Sequence, residues 1–121
     1  MTNFIYHITS RTAWSAAQEE GIYSPDSLTS DGFIHCSKMN QLLRVANNYY
    51  TNQHGLVIME IDTLQLNPKV RWEAGTDKPD ELFPHIYGPL NADAVVGVID
   101  FEPGEEGKFL LPQSLTVVDH E

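Results

Sequence analysis

The chain has 121 residues, 41% of them hydrophobic, enough for one domain around one core and too apolar for global disorder. Seventeen acidic residues against seven Lys and Arg give a net charge of −10, which disfavours duplex nucleic acid, a partner normally gripped through a basic patch. No apolar run approaches the roughly 18 residues of a membrane span, the N-terminus lacks a basic-then-apolar leader, and the lone Cys36 has no partner for an internal disulfide. The expectation is a single cytoplasmic domain, 1–121, that uses neither a membrane nor duplex nucleic acid. A small anionic ligand needs only one or two donors, and Arg11 and Lys38 are the cations that follow the first two histidine strands.

In chain order, Phe4 to Thr9 predicts a strand. Ser10 suits an N-cap, Arg11 to Glu20 a helix with Trp14 and Ala17 inward, and Gly21 the position just past its end. The Ser, Asp and Pro content of Tyr23 to Asp31 predicts a loop. Gly32 leads into a strand over Phe33 to Cys36, and Ser37 is expected to cap a helix from Met39 to Tyr50. In that helix Leu42, Leu43, Val45, Ala46 and Tyr49 recur at helical spacing. Leu56 to Ile61 is the strongest strand pattern, and Val70 to Glu73 a weaker one before a charged loop with Gly75, Asp77, Pro79 and Asp80. Phe83 to Pro89 is an extended piece boxed by prolines, expected at a sheet edge or a sheet end because proline cannot donate to a ladder. Strands are also predicted over Ala94 to Phe101 and Phe109 to Leu111, with a tight turn at Gly104 to Gly107 between them. The residues through Glu121 extend as a last strand or fray. Two strand–helix pairs followed mainly by strands make an α+β fold.

Three histidines sit two residues before a hydroxyl: His7 with Thr9, His35 with Ser37, and His85 with Tyr87. Strand side chains alternate faces, so each pair shares one face, while Ile8, Cys36 and Ile86 point the other way, toward a core. Three such strands predict one polar cleft. Neutral imidazole offers a donor and an acceptor, which suits a polar organic ligand such as a ribose, or a metal held by three histidines with an open position. The local metal signatures, His-x-His, His-Glu-x-x-His and Cys-x-x-Cys, are absent from the sequence. Taken singly, each histidine also fits a satisfied structural role. Cys36 faces away from its neighbour His35 and reads as a small buried residue. Glu60 and Glu73 end or interrupt strands and are the carboxylates that could face the cleft as a base, although solvated edges are the commoner place for such residues. Trp14, Trp72 and Phe83 read as core or cleft wall, and Tyr87 as the aromatic that touches a ligand.

The strings Ile5-Tyr6-His7-Ile8-Thr9, Asp31-Gly32-Phe33-Ile34-His35-Cys36-Ser37 and Leu82-Phe83-Pro84-His85-Ile86-Tyr87-Gly88-Pro89-Leu90 resemble a small bacterial family, domain of unknown function 952. Val70-Arg71-Trp72-Glu73 and Gly107-Lys108-Phe109 extend the resemblance over nearly the whole chain. The order of motifs is more distantly similar to the ADP-ribosyltransferase superfamily. That similarity implies a small split β-sheet with two N-terminal helices and a cleft that takes NAD, as substrate, or a related ribosylated nucleotide; no metal is expected, since the local ligand signatures are missing. It implies that His7 and Thr9 bind a ribose and that His35 and Ser37 meet the base or nicotinamide side. Arg11 reaches the diphosphate, and His85, with Tyr87 beside it, takes the third-motif role; His85 and His35 are the catalytic candidates. Two departures stand out: Ile8 replaces a usual glycine, and His85 stands where a catalytic Glu is expected. A missing carboxylate removes fixed negative charge from a developing cation, an effect worth several kcal/mol. The superfamily also contains tRNA phosphotransferases that dispense with that Glu, but the acidity of this chain disfavours RNA. A non-catalytic nucleotide- or protein-binding module and a three-histidine metal enzyme are the alternatives.

Overall fold

The computed structural model describes residues 3–75 and 78–118. The elements are β1 (Phe4–Ser10), α1 (Arg11–Glu20), β2 (Ile22–Tyr23), α2 (Ser27–Ser30), β3 (Ile34–His35), α3 (Met39–Tyr49), β4 (Leu56–Asp62), β5 (Lys69–Ala74), β6 (Leu82–Tyr87), β7 (Leu90–Asn91), β8 (Val95–Phe101) and α4 (Gln113–Val118). Single 3₁₀ turns lie at Thr63–Gln65, Ala92–Ala94 and Glu105–Gly107. The fold is α+β, with three small antiparallel sheets ordered β1-β4-β8, β2-β7 and β3-β6-β5.

β4 carries a continuous apolar run because both faces of its sheet are covered. On one face Val57, Met59 and Ile61 pack with Ile5, with Trp14 and Ala17 of α1, and with Ile34, Cys36 and Ile86 of the third sheet. On the other, Leu56 and Ile58 pack with Tyr6 and Ile8, with Leu42 and Ala46 of α3, and with Phe101, Phe109 and Leu115. Helix α1 begins as the sequence predicts: Ser10 Oγ accepts from the Ala13 N–H at 3.0 Å, and Gly21 ends the helix at φ 78°, a conformation that side chains with a Cβ resist. Ile8, Cys36 and Ile86 are all buried, but only Ile86 stands clear of the cleft; Ile8 and Cys36, predicted to point away from it, contribute to its wall.

Several expectations are corrected. The piece around Pro84 is the middle strand of its sheet, not an edge. The N–H and C=O of a strand residue point to the same side, and the Pro84 carbonyl accepts from Cys36 N–H on the β3 side. The donor that proline lacks therefore falls where β3, only two residues long, has already ended. Ser37 does not cap α3. It is buried, its N–H and C=O both taken by Tyr6, and Lys38 is the N-cap, its N–H donating to Gln41 Oε1 at 2.9 Å. The predicted loop after Tyr23 holds the short α2, and Tyr23 itself pairs with Leu90 across β2 and β7. Phe109 to Leu111 forms no strand, because the Asn47 side chain satisfies Phe109 in place of a neighbouring strand: the Phe109 N–H donates to Asn47 Oδ1 at 2.8 Å and its carbonyl accepts from Nδ2 at 3.2 Å. Trp72 is 47% exposed rather than core, standing on the edge strand β5. The segment expected to be a strand or to fray is helical over Gln113–Val118, and its last residues, 119–121, lie outside the described residues, as do residues 76 and 77 of the charged loop.

Candidate functional site

The first and third sheets meet at a single antiparallel bridge, where Tyr6 N–H donates to the Ser37 carbonyl at 2.9 Å and Ser37 N–H to the Tyr6 carbonyl at 2.8 Å. Beyond this rung β1 and β3 part. His7 fills the gap with its ring, where Nδ1 lies 2.6 Å from the His35 carbonyl oxygen. Past it opens a cavity of about 570 Å³, lined among others by His7, Thr9, His35, Ser37, Phe83 and His85. The structure thus brings all three histidine strands to one cavity.

The three histidines are held differently. A carbonyl can only accept, so His7 carries its proton on Nδ1, and Nε2, 2.7 Å from the Tyr23 hydroxyl, accepts from it. Burial pushes the Tyr23 hydroxyl up to about 12, which keeps it a donor, and pushes His7 down to about 4, which keeps it neutral. The Tyr23 oxygen, 2.9 Å from Thr9 Oγ1, is left to accept from the threonine. Thr9 retains lone pairs as an acceptor.

His85 is 4% exposed, and its ring lies stacked on Phe33 with centroids 3.9 Å apart. Its Nδ1 donates to Glu73 Oε1 at 2.8 Å, and the same oxygen accepts from the Tyr87 hydroxyl at 2.6 Å. These bonds, Tyr87 first and then His85, hold the Glu73 carboxyl below the usual range, so it stays ionised. The β5–β6 register explains the meeting: Glu73 faces Phe83 and Arg71 faces His85, placing Arg71, Glu73, His85 and Tyr87 on one face of the sheet. Among the described residues no buried side-chain nitrogen or oxygen lacks a partner. His85 Nε2, which makes no hydrogen bond there, is therefore not fully shut off from solvent, and His85 is one of the residues that line the cavity. With the proton fixed on Nδ1 by a carboxylate, a neutral ring presents a lone pair on Nε2.

His35 pairs with His85 in register, its ring edge-on at 5.6 Å between centroids. Its Nε2 donates to Asp31 Oδ2 at 2.8 Å, and that bond lowers the Asp31 carboxyl. The cavity wall thus carries two imidazoles, each oriented by its own carboxylate. Cys36 is buried, and burial pushes its thiol well above its ordinary range. Among the described residues no group of three or more His, Cys, Asp or Glu side chains is placed to hold a metal ion.

Of the remaining sequence candidates, Tyr87 donates to Glu73 but does not itself line the cavity. Arg11 stands apart from the site: its guanidinium pairs with Asp100 on β8, and it does not line the cavity. Glu60, on the central strand β4, accepts from the Tyr6 hydroxyl at 3.4 Å and does not line the cavity either. Sequence reasoning missed Tyr23, Phe33, Asp31 and Arg71. The β5–β6 pairing that brings Glu73 to His85 had no visible signal in the sequence.

No helix of the described residues is long and apolar enough to cross a membrane. The crystal structure of protein CC0527 from Caulobacter crescentus superposes with a TM-score of 0.83 at 31% identity, covering 93% of this chain and 98% of that one. The solution structure of the same protein gives a TM-score of 0.77 at 30% identity over 99% and 97% of the two chains. No curated protein matches. Residues 8–98, which begin one residue after His7 and hold His35, His85 and the Glu73 partner of His85, match the family described as "Protein of unknown function (DUF952)", and the chain belongs to that family.

Proposed function

We propose that the cleft between the first and third sheets binds NAD or a related ribosylated nucleotide, and that His85, backed by Glu73, acts at its activated ribose carbon. The observation that carries this is the carboxylate of Glu73 on His85 Nδ1 beside a cavity lined by all three histidine strands. It supplies, from the neighbouring strand, the fixed negative charge that the third motif lacks in sequence. The ADP-ribosyltransferase resemblance, which implies a cleft that takes NAD, and a cavity beside the junction of two of the three sheets support the reading.

In this reading Thr9 accepts from a ribose hydroxyl, with His7 and Tyr23 setting its orientation. His35 and Ser37 flank the nicotinamide side. The bond from the ribose C1′ to the pyridinium nitrogen breaks, and its electron pair passes to that nitrogen and neutralises the ring. An oxygen nucleophile, water or an acceptor hydroxyl, forms the new bond to C1′ and gives its proton to His85 Nε2. Glu73 is a positioning residue that fixes the tautomer and opposes the developing positive charge.

Calorimetric titration with NAD, with free nicotinamide followed in the same sample, tests this. Binding with nicotinamide release is expected, and both His85→Ala and Glu73→Gln should cut release by about 100-fold or more, a typical general-base contribution. Binding without release would make the cleft a non-catalytic nucleotide module. No binding at millimolar NAD would overturn the reading.

A further inference from the structure

The sheet face that carries His85 also carries two cations. Arg71 stands directly opposite His85 on β5, and Lys69 directly opposite Tyr87, so all four share one face. The chain has only seven basic residues against seventeen acidic ones, and three of the seven are arginines. Two arginines are neutralised: Arg11 by Asp100, and Arg44 by Glu81 at 2.8 Å. Arg71 makes no ion pair among the described residues. Its guanidinium carbon lies 5.3 Å from the Tyr87 ring centroid, a cation–π contact that steadies the side chain while leaving its N–H fork open to a ligand. The nearest carboxylate on this face, Glu73, already accepts from His85 and Tyr87. In so acidic a chain, an exposed arginine that forms no ion pair among the described residues, with Glu73 within range of its charge but already hydrogen-bonded to His85 and Tyr87, marks a place for an anion from outside.

We infer that Arg71, assisted by Lys69, on the sheet face beside the cavity and outside its lining, receives the phosphoryl or pyrophosphoryl group of a nucleotide whose ribose lies in the cavity past His85. This rests on the proposed nucleotide reading and gives it the anion contact that Arg11, paired with Asp100, does not provide. Guanidinium binds phosphate oxygens two at a time, so the site should prefer a phosphoryl group to a single-atom anion such as chloride. Tyr87 then has two tasks: it donates to Glu73 and supports Arg71.

The test titrates the wild-type chain, Arg71→Gln and Arg71→Lys with inorganic pyrophosphate and separately with NAD, by calorimetry and by NMR of the backbone and arginine side chains. Pyrophosphate should shift Arg71 and Tyr87 signals in the wild type. Arg71→Gln should weaken both ligands about ten- to hundredfold with an unchanged melting temperature, and Arg71→Lys should fall between. Raising salt should weaken wild-type binding more than that of Arg71→Gln. Equal affinities in wild type and Arg71→Gln, or pyrophosphate shifts that spare Arg71 and Tyr87, would overturn the inference. Pyrophosphate bound at Arg71 with NAD neither bound nor consumed would uphold the phosphate site and sink the NAD reading. NAD bound with no dependence on Arg71 would do the reverse.

Discussion

At the scale of residues, identical imidazoles are set to different tasks by what their nitrogens touch. His7 has both nitrogens engaged inside the protein, His85 has one held by Glu73, and His35 has one held by Asp31. Sequence alternation correctly put His7 and Thr9 on one face, since both contact Tyr23, but it carries no information about the partner of a ring nitrogen. His7 yields a stability prediction. Its folded value near 4 lies below its ordinary 6.5, so between these pH values the unfolded chain binds the proton and the folded one does not. Stability from this group is complete above pH 6.5 and falls as pH drops toward 4. Between pH 7 and pH 5 the loss from His7 alone is about 2 kcal/mol. Denaturant unfolding of wild type and His7→Phe at both pH values checks this: His7→Phe should be the less stable at pH 7, and the gap should narrow by that amount at pH 5.

At the scale of elements, the sequence spoke clearly where periodicity or caps are strong. The Ser10 cap, the α1 span, Gly21 and the β4 run all stand where expected. Ser10→Ala should cost about 1 kcal/mol of stability, readable as a lowered unfolding midpoint in denaturant. Short elements were illegible for a physical reason. β2, β3 and β7 are two residues each, too brief for any period, and exist only because tertiary partners hold them. Pro84 misled because the rule against proline in a ladder concerns one side of a strand, and β3 ends before that side needs a donor. Glu73 illustrates the same limit. Its parity along β5 was readable, but its place beside His85 depends on which strands are neighbours and in what register, and that is decided by the packing of both sheets.

At the scale of the whole molecule, the cleft follows from the way the two three-stranded sheets are joined. One bridge, Tyr6–Ser37, ties them, and the buried His7 ring spans the first gap beyond it. The two cores, one on each face of the first sheet, fix β1 from both sides, so the cleft has a rigid wall on which the histidines are spaced. A net charge of −10 surrounds it, leaving Arg71 and Lys69 as a local exception near the site. The central claim is that the nucleotide occupies the cavity between the sheets. The most direct measurement is NMR shift mapping of the isotope-labelled chain as NAD is added. The account predicts saturable shifts at Thr9, His35, Ser37, Phe83 and His85, extending to Tyr87 and Arg71. Absence of shifts at millimolar NAD, or shifts confined to the opposite end of β1 around Phe4, Lys38 and Trp72, would contradict it.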